Sequence, residues 1–222
     1  MTGKREENHA DRVKYKVLTA AKKLFVRQGY KKTTIRQIVE ESGVLTGSIY
    51  YLYKNKADIF QALVLSLLRG CVELIDEQYR EESPAFKMAA MFMVELKCVE
   101  EDELVRESYY EGYTSNAIFE KMVEHMADMA GKVFEGSDFS CSQEELYIRI
   151  LLIKGAMRSC IAKFYFTRPV DAKATNMLLL RMALELFHVP ADELENILHR
   201  IISMEKIWLE IARTLRDRQE KL

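Results

Sequence analysis

TTIRQIVEESGVLTGSIYYLYKNKADIF, residues 33–60, holds two short stretches of helical periodicity joined by Ser42-Gly43-Val44. Ile35, Ile38, Val39, Val44 and Ile49 recur at spacings that let the two stretches share a small core. Gly43 sits where a tight turn needs a backbone conformation that only glycine adopts without steric penalty. Thr34 and Gln37 stand at capping-box spacing, so a helix is expected to start there. With Ile49 turned inward, the opposite face of the second helix presents Thr46, Gly47, Ser48, Tyr50 and Tyr51. These are small hydrogen-bonding groups, a close-approach glycine and two phenols near a helix N-terminus, the pattern of a helix that meets base edges in a groove.

Upstream, Val13, Val17, Ala20, Ala21, Leu24 and Phe25 fall on one helical face, and Gly29 ends that pattern. Three helices in this order make a helix-turn-helix head. Charge supports the same reading. The chain of 222 residues carries a net charge of only −1, yet residues 1–56 hold 13 Lys and Arg against 5 Asp and Glu, while residues 57–222 hold 20 against 29. A polyanionic partner is therefore expected at the N-terminal end.

The ordered run Leu18-Thr19-Ala20-Ala21-Lys22-Lys23-Leu24-Phe25, Gly29-Tyr30, Thr33 to Ile38, Ser42-Gly43-Val44, Gly47 to Tyr51 and Lys54 to Phe60 resembles the DNA-binding domain of the TetR (tetracycline-repressor) family, over roughly residues 12–62. The resemblance implies a homodimeric regulator, most simply a repressor, whose two heads grip a near-palindromic double-stranded DNA operator. It further implies that Arg36 reaches a base edge or phosphate, that Thr34 caps its helix beside the DNA backbone, and that Thr46, Gly47, Ser48 and Tyr50 face the major groove. Tyr51 and Lys56 would hold phosphates. Leu45 and Tyr53 depart from residues usual in the family, Ser and Phe; Leu45 shifts the expected cap to Thr46, and Tyr53 adds a hydroxyl that needs a partner if buried.

Composition describes the rest. Leu, Met, Ala, Glu, Lys and Arg dominate, with three Pro and nine Gly, so an all-α fold is expected. About ten helices are predicted, near 10–28, 34–41, 46–52, 56–81, 84–99, 102–112, 115–134, 143–166, 171–187 and 191–217, with the least order near 136–141. The division is a head over 1–56 and a larger body over 57–222 for effector binding and dimerisation.

Cys71, Cys98, Cys141 and Cys160 form no CxxC pair, which points to reduced thiols and no structural metal. No apolar run approaches the ~18 residues of a membrane span, and Lys4 to Glu7 do not start a signal peptide. A cytoplasmic, nucleoid-associated protein with no membrane role is expected. No GxSxG, GxGxxG, Walker or HExxH pattern occurs and the four histidines are scattered, so no catalytic residue and no cofactor are assigned. An architectural or division-linked DNA-binding protein without an effector is the alternative reading, with a helical enzyme behind it.

In the body, Leu146, Ile150, Ile153, Met157, Cys160 and Phe164 form one seam, and Ile197, Ile201, Met204, Trp208, Ile211 and Leu215 another. Each seam serves either a partner subunit or the subunit's own core. The family resemblance implies a four-helix interface, assigned to 143–166 and 171–187 through Leu146, Ile150, Ile153, Met157, Phe164, Leu178 and Met182. Phe92, Tyr109, Tyr110, Tyr113, Phe119, Met122 and Met126 form a soft, aromatic set that either packs as core or lines a pocket for an apolar or aromatic small-molecule effector.

Overall fold

The computed structural model describes the backbone of residues 2–137 and 141–217, and side chains from residue 10 onward within these. Residues 138–140 of the loop expected at 136–141, and the side chains of Lys4 to Glu7, lie outside the described residues. Among the described residues there are eleven α-helices and no strand: α1 (Thr2–Lys32), α2 (Ile35–Ser42), α3 (Thr46–Leu52), α4 (Lys56–Gln78), α5 (Pro84–Glu101), α6 (Glu103–Thr114), α7 (Asn116–Phe134), α8 (Gln143–Ala162), α9 (Ala172–Leu186), α10 (Ala191–Ser203) and α11 (Glu205–Asp217). A single 3-10 turn, Lys163–Tyr165, extends α8.

Capping chemistry sets most of the starts. The Ser83 hydroxyl accepts from the Phe86 amide ahead of Pro84, Asn55 accepts from Asp58, Ser142 from Glu145, and Asp171 from Ala174. Two boundaries differ from expectation. The helix predicted over 191–217 is two helices, separated at Met204, whose amide returns to the carbonyls of Arg200 and Ile202. The bend lets Trp208 turn into the core, where its Nε1 donates to the Ile201 carbonyl at 2.8 Å and its ring packs against Tyr79 and Phe86. At the other end, helical backbone begins at Thr2 rather than near residue 10, and Gly29 interrupts α1 with φ 80° and ψ 163°.

One continuous apolar core runs from the head into the body. The head contributes Val17, Ala21, Leu24, Ile38 and Ile49, all nearly inaccessible, and α4 passes out of it carrying Ile59, Phe60 and Leu63. In the body, α5 is the central element, with eleven buried residues and contacts to α4, α6, α8, α9, α10 and α11. Among the described residues no helix is long and apolar enough to cross a membrane, and no group of three or more His, Cys, Asp or Glu is placed to hold a metal ion.

Both seams face inward. Leu146, Ile150, Ile153 and Met157 are at most 3% exposed within the single subunit, so they cannot meet a second one. Ile197, Ile201, Trp208, Ile211 and Leu215 are buried likewise. Lys154 shares the inward face of α8 and forms a buried ion pair with Glu95 at 2.5 Å. The apolar surface that α8 and α9 leave open comes from other positions, Ile148, Leu151, Leu152 and Leu178. Of the residues expected at the interface, Leu178 (69%) and Phe164 (38%) are exposed, and Met182 is half-buried.

Candidate nucleic-acid interface and internal cavity

Thr34 opens α2 with a complete capping box: its hydroxyl accepts from the Gln37 amide at 3.3 Å, and the Gln37 side chain accepts from the Thr34 amide at 2.9 Å. Gly43 closes α2 in the left-handed region, φ 63°, its amide returning to the Val39 carbonyl. The turn therefore exists because its only residue with positive φ is the one that tolerates it.

Leu45, not Thr46, is the residue that precedes α3, and it offers no side-chain cap. Thr46 is the first helical residue, and it and Gly47 are exposed. Within α3 only Ile49 is fully buried, while Tyr50 is 52% and Tyr51 87% exposed, with Ser48 half-buried. Arg36 on α2 is exposed and held by Glu40 one turn on, at 3.0 Å. All seven of these groups, Thr34, Arg36, Thr46, Gly47, Ser48, Tyr50 and Tyr51, are within reach of solvent in the two helices of the motif.

Lys56 is different. Its ammonium donates to the carbonyls of Tyr30 (2.8 Å) and Thr33 (2.9 Å) and lies 4.1 Å from the centroid of the Tyr30 ring. Burial lowers its pKa from the usual lysine value. Its donors close the open carbonyl end of α1 after the Gly29 break, which makes it a brace of the head. Tyr53, the other departure, is buried at the start of the α3–α4 turn, and burial pushes its phenol up to about 12.

Beneath the head lies a partly open cavity of about 90 Å³. Its walls come from α1 (Phe25), α4 (Phe60, Leu63, Leu67), α5 (Phe92, Glu95), α6 (Tyr109), α7 (Met126) and α11 (Leu215). Phe92, Tyr109 and Met126 of the expected pocket set thus meet there. Tyr110, Tyr113, Phe119 and Met122 do not: Tyr110 packs on Tyr165, and Met122 is core. Tyr113 is buried with its hydroxyl on Glu95 at 2.6 Å, and Phe119 lines a shallow trough on the outside of α8 with Leu151 and Gly155. The α4 wall went unforeseen, although its apolar arc of Leu63, Val64, Leu67, Leu68 and Cys71 is wider than one packing face needs.

The cavity adjoins the contacts that join α1 and α4 to α6. Phe60 packs edge-on against Phe25 at 5.5 Å and on Tyr30 at 4.8 Å, and a methyl at Gly112 of α6 would meet the Phe60 ring at 3.0 Å. Lys31 pairs with Glu111 of α6 at 2.8 Å, and Gly29 faces the Glu107 carboxylate so closely that a Cβ would sit 2.9 Å from it.

Residues 17–63 match the family model described as "Bacterial regulatory proteins, tetR family". Among curated proteins, the chain is 33% identical to the transcriptional regulator QacR of Staphylococcus aureus over 118 residues, 50% of this chain and 61% of that protein. It is 29% identical to the uncharacterized regulator YfiR of Bacillus subtilis over 83 residues, 37% of this chain and 40% of that one. The matches thus span less than two thirds of these relatives' own lengths. Among solved structures, RolR in complex with resorcinol superposes with a TM-score of 0.65 at 16% identity, covering 87% of this chain and 96% of that one. TylP, a TetR regulator from Streptomyces fradiae, gives 0.54 at 15%, covering 90% and 99%. At such identities these two similarities speak for the fold alone, a helical body behind a helix-turn-helix head. The sequence match of the head is thus to the TetR family of bacterial regulatory proteins, and the helical fold of the whole chain is similar to that of RolR and TylP.

Proposed function

We propose that this protein is a homodimeric transcription regulator, acting as a repressor, that binds a near-palindromic DNA operator and releases it when a small molecule fills the body cavity. The observation that carries the reading is the exposed face of α3: Thr46, Gly47, Tyr50 and Tyr51 surround the single buried peg Ile49, at the positively charged end of the chain. Arg36 and α3 read base edges, while Thr34 and Tyr51 lie along phosphates. No residue is catalytic in this reading, and the chain works in the cytoplasm against the nucleoid.

Pairing is assigned to the open faces of α8 and α9, with Ile148, Leu152 and Leu178 at its centre, because single subunits seldom leave such large side chains uncovered side by side. Two heads on a twofold axis then meet successive major grooves about 34–36 Å apart. A ligand touching Phe25 and Phe60 at once changes head spacing. Linkage requires that DNA weaken ligand binding by the same factor.

The test is selection of bound duplexes from a random pool with the full-length protein, followed by affinity measurement over a range of salt. A palindromic consensus bound at least about a thousand-fold more tightly than random DNA is expected, and Arg36→Ala should lower discrimination by about 1–3 kcal/mol if it contacts a base. Selection of no consensus would overturn the reading. Leu152→Glu with Leu178→Glu should yield monomers in sedimentation; an unchanged dimer would move the interface elsewhere.

A further inference from the structure

Six acidic or basic side chains line the cavity: Lys22, Glu95, Glu101, Asp102, Arg213 and Arg216. Each already has a protein partner. Glu95 accepts from Lys154 at 2.5 Å and from the Tyr113 hydroxyl at 2.6 Å. Arg213 pairs with Glu101 at 2.6 Å, Arg216 lies 3.9 Å from Asp102, and Lys22 donates to the Leu215 carbonyl at 2.7 Å. A charged guest would have to compete with these standing partners for a counter-ion while losing its own hydration.

The hydroxyls are not equal. Ser108 donates to the Leu104 carbonyl at 2.9 Å, and the Tyr113 hydroxyl is spent on Glu95. The Tyr109 hydroxyl makes no hydrogen bond to any described residue, although its ring is stacked on Tyr113 and it lines the cavity. Its phenol is held well above the usual range, first by burial and then by the neighbouring Cys98, Glu95 and Cys71. The neutral phenol shares the cavity wall with Phe60, Phe92 and Met126 and is free to exchange hydrogen bonds with a guest.

Size narrows the choice. The cavity, at about 90 Å³, is smaller than the roughly 150 Å³ at which an apolar cavity is known to admit benzene. Met91 and Met126 line the cavity, and their unbranched side chains can give way to admit a ring.

We propose that the cavity takes a compact, uncharged molecule of about one ring in size that carries a hydroxyl group, which exchanges hydrogen bonds with Tyr109. The inference rests on the reading of this cavity as the effector site, and adds the chemistry of what enters. Calorimetric titration of the full chain without DNA tests it with four single-ring probes, the isosteric pair phenol and toluene and the charged pair benzoate and benzylammonium. Phenol is expected to bind about ten-fold more tightly than each of the others. In Tyr109→Phe, phenol should fall to the level of toluene while toluene itself is unaffected, which shows that the cavity still forms. Binding of either charged probe as tight as that of phenol, a phenol advantage that survives in Tyr109→Phe, or no heat from any probe would overturn the proposal. Because no DNA is present, these outcomes are independent of whether the selected operator is found; failure of operator selection alone would sink the regulatory reading and leave the ligand chemistry standing.

Discussion

Lys22 of α1 donates a 2.7 Å hydrogen bond to the carbonyl of Leu215 near the end of α11, joining two residues 193 positions apart. The lysine stem is buried in the cavity wall, so the bond ties the head helix to the final helix through the space where the effector is assigned. Lys22→Met keeps the stem and removes the donor to the Leu215 carbonyl. A loss of about 1–3 kcal/mol in urea unfolding is expected, with faster amide exchange in α11. Unchanged exchange there would show that the tie contributes nothing.

Lys56 gives a prediction opposite to the one its sequence context suggests. Its ammonium is committed to the carbonyls of Tyr30 and Thr33 and to the Tyr30 ring. Lys56→Met should therefore lower stability by about 1–3 kcal/mol, read from denaturation. The dependence of DNA affinity on salt should stay as steep as in the parent, because a lost phosphate contact would reduce the slope by about 0.9. A shallower slope would return Lys56 to the interface.

Glu95 and Lys154 form an ion pair that is almost wholly buried. Removing one partner strands a charge in the core. Lys154→Met is expected to cost about 3–5 kcal/mol, whereas Glu95→Leu combined with Lys154→Met should recover most of that loss. Equilibrium unfolding of the two single variants and the pair measures the coupling; additive losses would contradict it.

Tyr53 provides a pH signature for the head. Burial raises its phenol to about 12, above the ordinary value of 10.0. A raised pKa means that the folded state keeps the proton longer than the unfolded chain does. The resulting stability is complete below pH 10 and is lost as pH climbs toward 12. Thermal midpoints of the parent should consequently drop between these limits relative to Tyr53→Phe, and parallel curves for the two proteins would refute the assignment.

The head was legible in the sequence because its determinants are local. Thr34 with Gln37, Gly43 with its positive φ, and Ile49 as the inward residue of α3 each act within a few positions, and each is found in that role. Lys56 escaped because its partners, Tyr30 and Thr33, lie more than twenty residues away, just past the Gly29 break. The α8 seam illustrates a deeper ambiguity. Leu146, Ile150, Ile153 and Met157 repeat at a spacing that serves a partner or a core equally, and Lys154 on the same face suggests an outer surface. Only the position of Glu95 on α5 reveals that the face is internal. The cavity was half visible: Phe92, Tyr109 and Met126 lie on three consecutive helices, but the wall from Phe25, Phe60 and Leu215 requires three distant helices to converge.

Because α3 is held by Ile49, its one fully buried side chain, with Leu52 partly buried against the same core, while Thr46, Gly47, Tyr50 and Tyr51 stand clear of it, the reading surface and the scaffold occupy separate sets of positions. Descendants of this chain can therefore retarget to new promoters by exchanging a handful of outward side chains, with no repacking of the three-helix unit that carries them. Evolvability of target choice is built into that one-peg mounting.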